Sequence, residues 1–325
     1  MDAEQVPWGK VICLANAHLL TPTLAMALAD RGLRNCLSAD VGAYLQRLYT
    51  LNLQRNQHLR AQLIEVGAAL NRIGVEPVLL KGACSLVTRM YSHPGSRMMT
   101  DLDVLVPQAR IEACREQLQI IGYGMDDDDG DFPADHHHIA PLRRPGEYAV
   151  VELHQLLVKD LRTGLLFGTR VRAEEATLIT ERLIAEADHV QVNGVSLRVP
   201  KAGFRVLHSV LHSAFLDREH REGALPLRNL HELALLLAIF RDELDWALIR
   251  TLLGDSRKVT ILSDWLYLAN RLYGAPLPQC FRRRQHAHIH FLRCRLQARW
   301  GVAGSFRALA RLSPGHLRDP RMQCD

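Results

Sequence analysis

Asp101 and Asp103 stand two residues apart in the run Thr100-Asp101-Leu102-Asp103-Val104-Leu105-Val106. A short, branched apolar run of this kind reads as a buried strand. Side chains two apart on a strand leave the same face, roughly 7 Å from each other. Two carboxylates on one face repel unless positive charge lies between them. A divalent cation is the usual answer, and Mg²⁺ takes one or two carboxylates together with phosphate oxygens and water. Asp-x-Asp alone is a weak signal, because it also occurs wherever a surface strand ends in charge. Here Leu102, Val104, Leu105 and Val106 are apolar. The acids therefore open a buried strand and need compensation there.

Two further groups extend the pattern. Upstream, the apolar run Val75-Glu76-Pro77-Val78-Leu79-Leu80 stops at Lys81-Gly82, and helical spacing starts directly after. Glycine lets a backbone approach a ligand closely, a helix start offers free N–H groups to phosphate, and Lys81 adds a point charge. Downstream, Val150-Val151-Glu152-Leu153-His154 reads as another apolar strand with Glu152 and His154 on one face. A buried glutamate is unusual without a partner. Set beside the Asp strand, Glu152 completes a three-carboxylate site. Two acids would hold metal, and the third would bind a second metal and help deprotonate an attacking hydroxyl, as in in-line phosphoryl displacement.

The elements that must position these groups can be read around them. Residues 10–75 carry Leu, Val and Ala at three- and four-residue intervals and read as helical, with no chemical motif of their own. Strands at 75–80 and 101–106 enclose a helix at 83–91 and a turn at 92–96. A helix follows at 108–121. Segments 136–143 and 147–153, joined through Arg144-Pro145-Gly146, read as a hairpin, and a second hairpin at 190–199 turns on Asn193-Gly194. Amphipathic helices are expected at 204–215, 227–240 and 246–253, and an Arg- and His-rich helix at 281–300. This divides the chain into a helical region at 1–71, a small α/β core at 72–160 and a mainly helical region at 161–325.

With those residues in view, Val78 to Pro107 followed by Val151-Glu152-Leu153-His154 resembles the polymerase-β-type nucleotidyltransferase superfamily. More narrowly, it resembles a bacterial family of uncharacterised nucleotidyltransferases. The family pattern is a Leu-Lys-Gly strand end, an Arg a few residues before Asp-x-Asp-Leu-Leu-Val, and a later acid-Leu-His strand. This chain has Leu80-Lys81-Gly82, Arg97, Asp101-Leu102-Asp103-Val104-Leu105-Val106 and Glu152-Leu153-His154. The helical lead-in and the helix around His208 and His212 are also family-like, so the resemblance covers most of the chain. It implies an α+β fold, a polymerase-β-like core with a short mixed sheet, flanked by N- and C-terminal helical regions. It implies Asp101, Asp103 and Glu152 as catalytic, metal-holding carboxylates. Gly82 and the residues after it would cradle phosphates, and Lys81 and Arg97 would neutralise the triphosphate or the leaving pyrophosphate. The implied reaction moves a nucleoside monophosphate from an NTP, with Mg²⁺ or Mn²⁺, to a hydroxyl of a small-molecule, peptide or protein acceptor.

One departure stands out. The wider superfamily usually has Gly-Ser or Gly-Gly after the strand, whereas this chain has Gly82-Ala83-Cys84-Ser85. Ala83 offers no hydroxyl, which leaves Ser85 or backbone N–H groups to touch phosphate. Ala83 therefore favours a rival reading, a non-catalytic nucleotide-binding or scaffold protein. A second rival is a toxin-like transferase acting on tRNA, favoured by the Arg-rich C-terminal segment with Arg282, Arg283, Arg284, Arg293, Arg295 and Arg299. A solvated cationic face is the plainer meaning of that segment.

The remaining histidines and acids divide in the same way. His136-His137-His138 could hold zinc, but alternation lets only His136 and His138 share a side; His138 facing substrate or phosphate, or a solvated strand, are the simpler readings. His208 and His212, four apart on a helix, share a face and could line the substrate side, or serve packing. Without an intervening Glu of the His-Glu-x-x-His kind they do not spell hydrolytic zinc. Asp126 to Asp129 lacks the alternating spacing of a Ca²⁺ loop and reads as an acidic loop. No nucleophile elbow surrounds any Ser or Cys.

Composition sets the outer bounds. The 325 residues are 48% hydrophobic and 23% charged, with a net charge of +5. These are globular values, and the mild basicity suits an anionic partner without demanding nucleic acid. Seven scattered cysteines without a Cys-x-x-Cys pair argue against a disulfide framework or zinc ribbon and for a reducing cytoplasm. The first residues lack a basic signal-peptide pattern, and the apolar run at 233–240 is far shorter than the roughly 20 residues of a membrane helix. A cytoplasmic protein without membrane contact is expected.

Overall fold

The computed structural model describes residues 6–125, 136–158, 161–162, 170–281 and 285–300. Three helices lead in: α1 (Trp8–Ala17), α2 (Thr21–Asp30) and α3 (Ala39–Arg72). Strand β1 (Val78–Leu79) and helix α4 (Lys81–Val87) follow, then β2 (Asp101–Leu105) and α5 (Ile111–Ile120). Strand β3 (Val150–His154) and the short pair β4 (Leu161–Arg162) and β5 (Arg170–Val171) precede α6 (Ala173–Glu186). A hairpin comes next, β6 (Asp188–Val192) and β7 (Val195–Val199). The described residues end in α7 (Ala202–Val210), α8 (Glu219–Glu222), α9 (Leu227–Ile239), α10 (Trp246–Leu253), α11 (Ser256–Tyr273) and α12 (Gln285–Trp300).

Five strands form one mixed sheet in the order β3-β2-β1-β7-β6. β1 runs antiparallel to β2, β2 parallel to β3 and β1 parallel to β7. The fold is thus α+β, a short mixed sheet with helical regions on either side. Period-two alternation sorts its side chains. Leu79, Leu102, Val104, Val151 and Leu153 pack with Leu59, Leu63 and Val66 of α3, while Val78, Leu80 and Leu105 pack toward α7, α9 and α11. The two cores lie on opposite sides of the sheet, and the acids of β2 and β3 fall on the α7 side.

Strand and helix limits moved where local chemistry required it. The strand expected from Val75 shrinks to Val78–Leu79, because Pro77 has no N–H for the ladder. Lys81, at φ 40°, turns the chain straight into α4. The expected arm 136–143 meets β3 only through separate bridges, His138 to His154 and Leu142 to Val151. The second hairpin closes as the sequence implied: Asn193 (φ 52°) and Gly194 (φ 79°) both sit in the left-handed region that a two-residue primed turn needs. The helix through His208 changes to a π-helical turn at Leu211–Leu216. Among the described residues no helix is long and apolar enough to cross a membrane. The acidic run at 126–129 and Arg282 to Arg284 lie outside the described residues.

Candidate active site

The site forms where two parallel strands end side by side. In the β2–β3 ladder Asp103 lies opposite Glu152, and Asp101 opposite Val150. Ligand atoms of Asp103, Glu152 and His154 all lie within 4.8 Å of one another. Asp101 and Asp103 line a cleft that encloses about 970 Å³ including its open mouth. Its far wall carries Arg205, His208 and His212 from α7 and its continuation, and Arg228, Asn229 and Glu232 from α9.

Asp103 is the most constrained acid. It is 1% exposed, and its Oδ1 accepts from Lys81 Nζ at 2.6 Å and from His154 Nε2 at 2.9 Å. Burial raises its carboxyl pKa, yet the Lys81 ammonium and the His154 hydrogen bond outweigh burial and hold it well below the usual range. Its Oδ2 is buried with no hydrogen-bond partner. Asp101 has no such support: burial first and Asp103 second push its carboxyl up. Glu152 Oε2 lies 3.6 Å from His154 Nε2 and 3.7 Å from His138 Nε2. Burial opposes its ionisation too, but the neighbouring His154 imidazole leaves its carboxyl below the ordinary value.

The basic partners are equally specific. Lys81 is held in the left-handed region, at φ 40°, where a residue with a Cβ pays on the order of 1–2 kcal/mol. Its bond to Asp103 compensates for that strain and keeps the ammonium charged in spite of burial. His154 is fully buried, with Nε2 directed at Asp103 and Nδ1 without a hydrogen-bond partner. Burial disfavours its cation, but the two carboxylates raise its pKa overall. The rings of His137 and His138 pack around it, each with a centroid 5.1 Å away. Burial keeps His137 and His208 neutral. His212 Nδ1 lies 3.0 Å from Asp217 Oδ2.

The donor set fits a hard divalent ion. Asp103 Oδ2 is a buried oxygen without a partner, and Asp101 and Glu152 add carboxylates whose like charges are incompletely balanced by Lys81. Oxygen donors of this kind suit Mg²⁺ or Mn²⁺.

Other expected residues sit differently. Arg97 is buried against Glu232 of α9: its Nε donates to Oε1 and its Nη2 to Oε2 at 3.2 Å, while Tyr91 Oη donates to Oε1 at 3.3 Å. The guanidinium thus ties the sheet to the C-terminal helices. A Cβ at Gly82 would lie inside contact distance of Arg97 Nη1, 3.0 Å from its Cζ and 3.1 Å from Met99 Sδ. The glycine is required by an arginine. Ala83 is fully buried in the α3-side core, and the Ser85 hydroxyl donates back to the Gly82 carbonyl at 2.7 Å; neither lines the cleft.

Sequence reading also passed over the residues that hold the site loop. Asn52 of α3 donates to the carbonyls of Gly95 (2.7 Å) and Arg97 (2.9 Å), Asn56 to those of Pro94 (2.7 Å) and Arg97 (2.9 Å), and Arg55 Nε to Met99 (3.2 Å). Residues 94–99, which lead into Asp101, are therefore clamped to α3. The available signal was amides interleaved in the apolar stripe of α3, at 52, 56 and 62. Glu232 showed itself only as the one acid in the helix at 227–239.

A carboxylate-lined strand pair facing a basic, histidine-rich wall, on a small mixed sheet, is a nucleotidyltransferase arrangement. The family model described as uncharacterised nucleotidyltransferase matches residues 4–274, and the chain belongs to that family. No curated relative matches it. Among solved structures, it is similar to an antigenic nucleotidyltransferase-like protein from Paracoccidioides brasiliensis at 13% identity and a TM-score of 0.30, covering 63% of this chain and 92% of that one.

Proposed function

We propose that this chain transfers a nucleoside monophosphate from an NTP to an acceptor hydroxyl, with Mg²⁺ or Mn²⁺. The observation that carries this reading is the register of β2 and β3, which sets Glu152 beside Asp103 on the face shared with Asp101. Asp101, Asp103 through Oδ2, and Glu152 would hold the metal. Bound there, it would neutralise phosphate charge and activate the attacking oxygen. Lys81 keeps Asp103 ionised and presents an ammonium at the cleft floor. His154, bonded to Asp103 and close to Glu152, fixes both carboxylates in orientation. Arg205 and Arg228, at the cleft wall, are better placed than Arg97 to meet triphosphate, because Arg97 is committed to Glu232. His208 and His212 stand on the acceptor side.

The domain limits expected from sequence acquire a role in this reading. Residues 72–160 supply the carboxylates, 161–325 supply the opposite wall, and 1–71 clamp the loop between them. The test is release of pyrophosphate from each NTP with Mg²⁺ or Mn²⁺ and candidate acceptors. Asp101→Asn and Asp103→Asn should abolish it; full activity in either would sink the proposal. Nucleotide binding without turnover in the intact chain would instead favour the binding-only reading, which the inward-turned Ser85 and buried Ala83 support.

A further inference from the structure

Away from the cleft, three helices bring another set of metal-ligating groups together. His220 of α8, Asp264 of α11 and His290 of α12 have ligand atoms within 4.8 Å of one another. Asp264 is 4% and His290 6% exposed. His220 Nε2 lies 2.7 Å from Asp264 Oδ2, and His286 Nδ1 lies 2.7 Å from Asp264 Oδ1. The His220 and His290 rings stack at 4.2 Å with 12° between their planes. Cys294 Sγ, fully buried, is 3.4 Å from His290 Nε2.

We propose that His220, Asp264 and His290 form a zinc-class transition-metal site, separate from the carboxylates of the cleft, that fastens α12 to α8 and α11. Two imidazoles and one carboxylate suit Zn²⁺ and its neighbours, whereas Mg²⁺ prefers oxygen alone. His286 would be the outer partner that orients the ligating carboxylate, a recurrent arrangement around metal sites. Cys294 is the adjacent donor for a fourth position.

Hydrogen bonding alone explains the cluster less well. It does not account for two imidazoles stacked face to face beside one carboxylate, which a shared metal would. Metal binding would replace the proton shared between His220 and Asp264. The site also bears on the cleft. Trp265, next to Asp264, donates from Nε1 to Ser213 Oγ at 3.4 Å, and Ser213 in turn bonds Glu219, next to His220. Ser213 lies in the π-helical turn that carries His212, so the metal would brace that wall.

The test is a Co²⁺ titration of the full chain after chelator treatment, in an Asp101→Asn/Asp103→Asn background that silences the cleft carboxylates. The expected result is the strong visible ligand-field absorption of low-coordinate Co²⁺, saturating near one equivalent and bleached by Zn²⁺. His220→Ala and His290→Ala, verified as folded by circular dichroism, should lose it, and Zn²⁺ should raise Tm in the parent but not in them. If neither variant folds, the parent's own titration decides. Absence of those bands overturns the proposal. So does absorption that survives His290→Ala but disappears in His137→Ala, which would move the metal to the cleft histidines.

Discussion

Gly82→Ala separates two roles that glycine could have here. By helix propensity the change should stabilise, since alanine exceeds glycine by up to about 1 kcal/mol inside a helix. The structure predicts the opposite. The new methyl would lie 3.0 Å from Arg97 Cζ, against the 3.5–4.0 Å of an ordinary contact, so something must move by roughly 1 Å. The guanidinium cannot yield freely, because both oxygens of Glu232 hold it and neither partner is well solvated, at 7% and 17% exposure. Overpacking of this sort costs about 1–3 kcal/mol, which leaves a net loss after propensity is credited. Urea denaturation at neutral pH measures it. Arg97→Ala removes the obstruction and, by stranding Glu232, should itself cost about 3–5 kcal/mol. In that background Gly82→Ala should cost nothing or stabilise, giving a coupling of at least about 1 kcal/mol. If Gly82→Ala proves as stable as the parent but loses nucleotide affinity, the steric argument is wrong, and the glycine serves phosphate approach instead.

Asp101 is held at a raised pKa by burial and Asp103, so it is ionised at a cost to the metal-free fold; Asp101→Asn should raise Tm by differential scanning fluorimetry while abolishing pyrophosphate release. A lower Tm would contradict the electrostatics. Asn52→Ala and Asn56→Ala change no side chain of the cleft, yet each frees the 94–99 loop; we expect about 1–2 kcal/mol of destabilisation each and a larger fall in kcat than in substrate affinity. Unchanged turnover would show that α3 does not position the site. His290 falls to about 4 in the fold from an ordinary 6.5, so the unfolded chain binds the extra proton between those values. Stability of metal-free protein should then be complete above about pH 6.5 and decline by up to about 3 kcal/mol as pH falls toward 4; His290→Asn should flatten that slope in equilibrium unfolding. Glu232, kept below its usual range by Arg97 despite burial, should add a second loss below about pH 4.5 that Arg97→Ala removes.

Much of the frame was legible because it depends on neighbours in sequence. Alternation in 101–105 and 150–154 sets which residues leave the same face, and Asn193-Gly194 supplies the left-handed pair that a tight hairpin demands. The amphipathic stripes at 227–240 and 246–253 became α9 and α10 with nearly the expected limits. The 136–143 arm was less legible: its Pro-Gly turn suggested a hairpin, but only isolated antiparallel bridges hold it to β3.

By itself, the sequence determined which groups the strands present: paired acids on a buried strand, a lysine at a strand end, a further acid on a later strand. Those inferences rest on the two-residue period of extended chain, which no tertiary context alters. Only the tertiary structure decided which charges meet. It set Glu152 opposite Asp103 through parallel pairing across the chain, paired Arg97 with Glu232 at the cleft wall, and placed Gly82 beneath that arginine. It also made the amides of α3 into a clamp and gathered His220, Asp264 and His290 from three helices. Contacts between distant segments are selected by packing of the whole, where burial makes an unpaired charge costly and so dictates its partner.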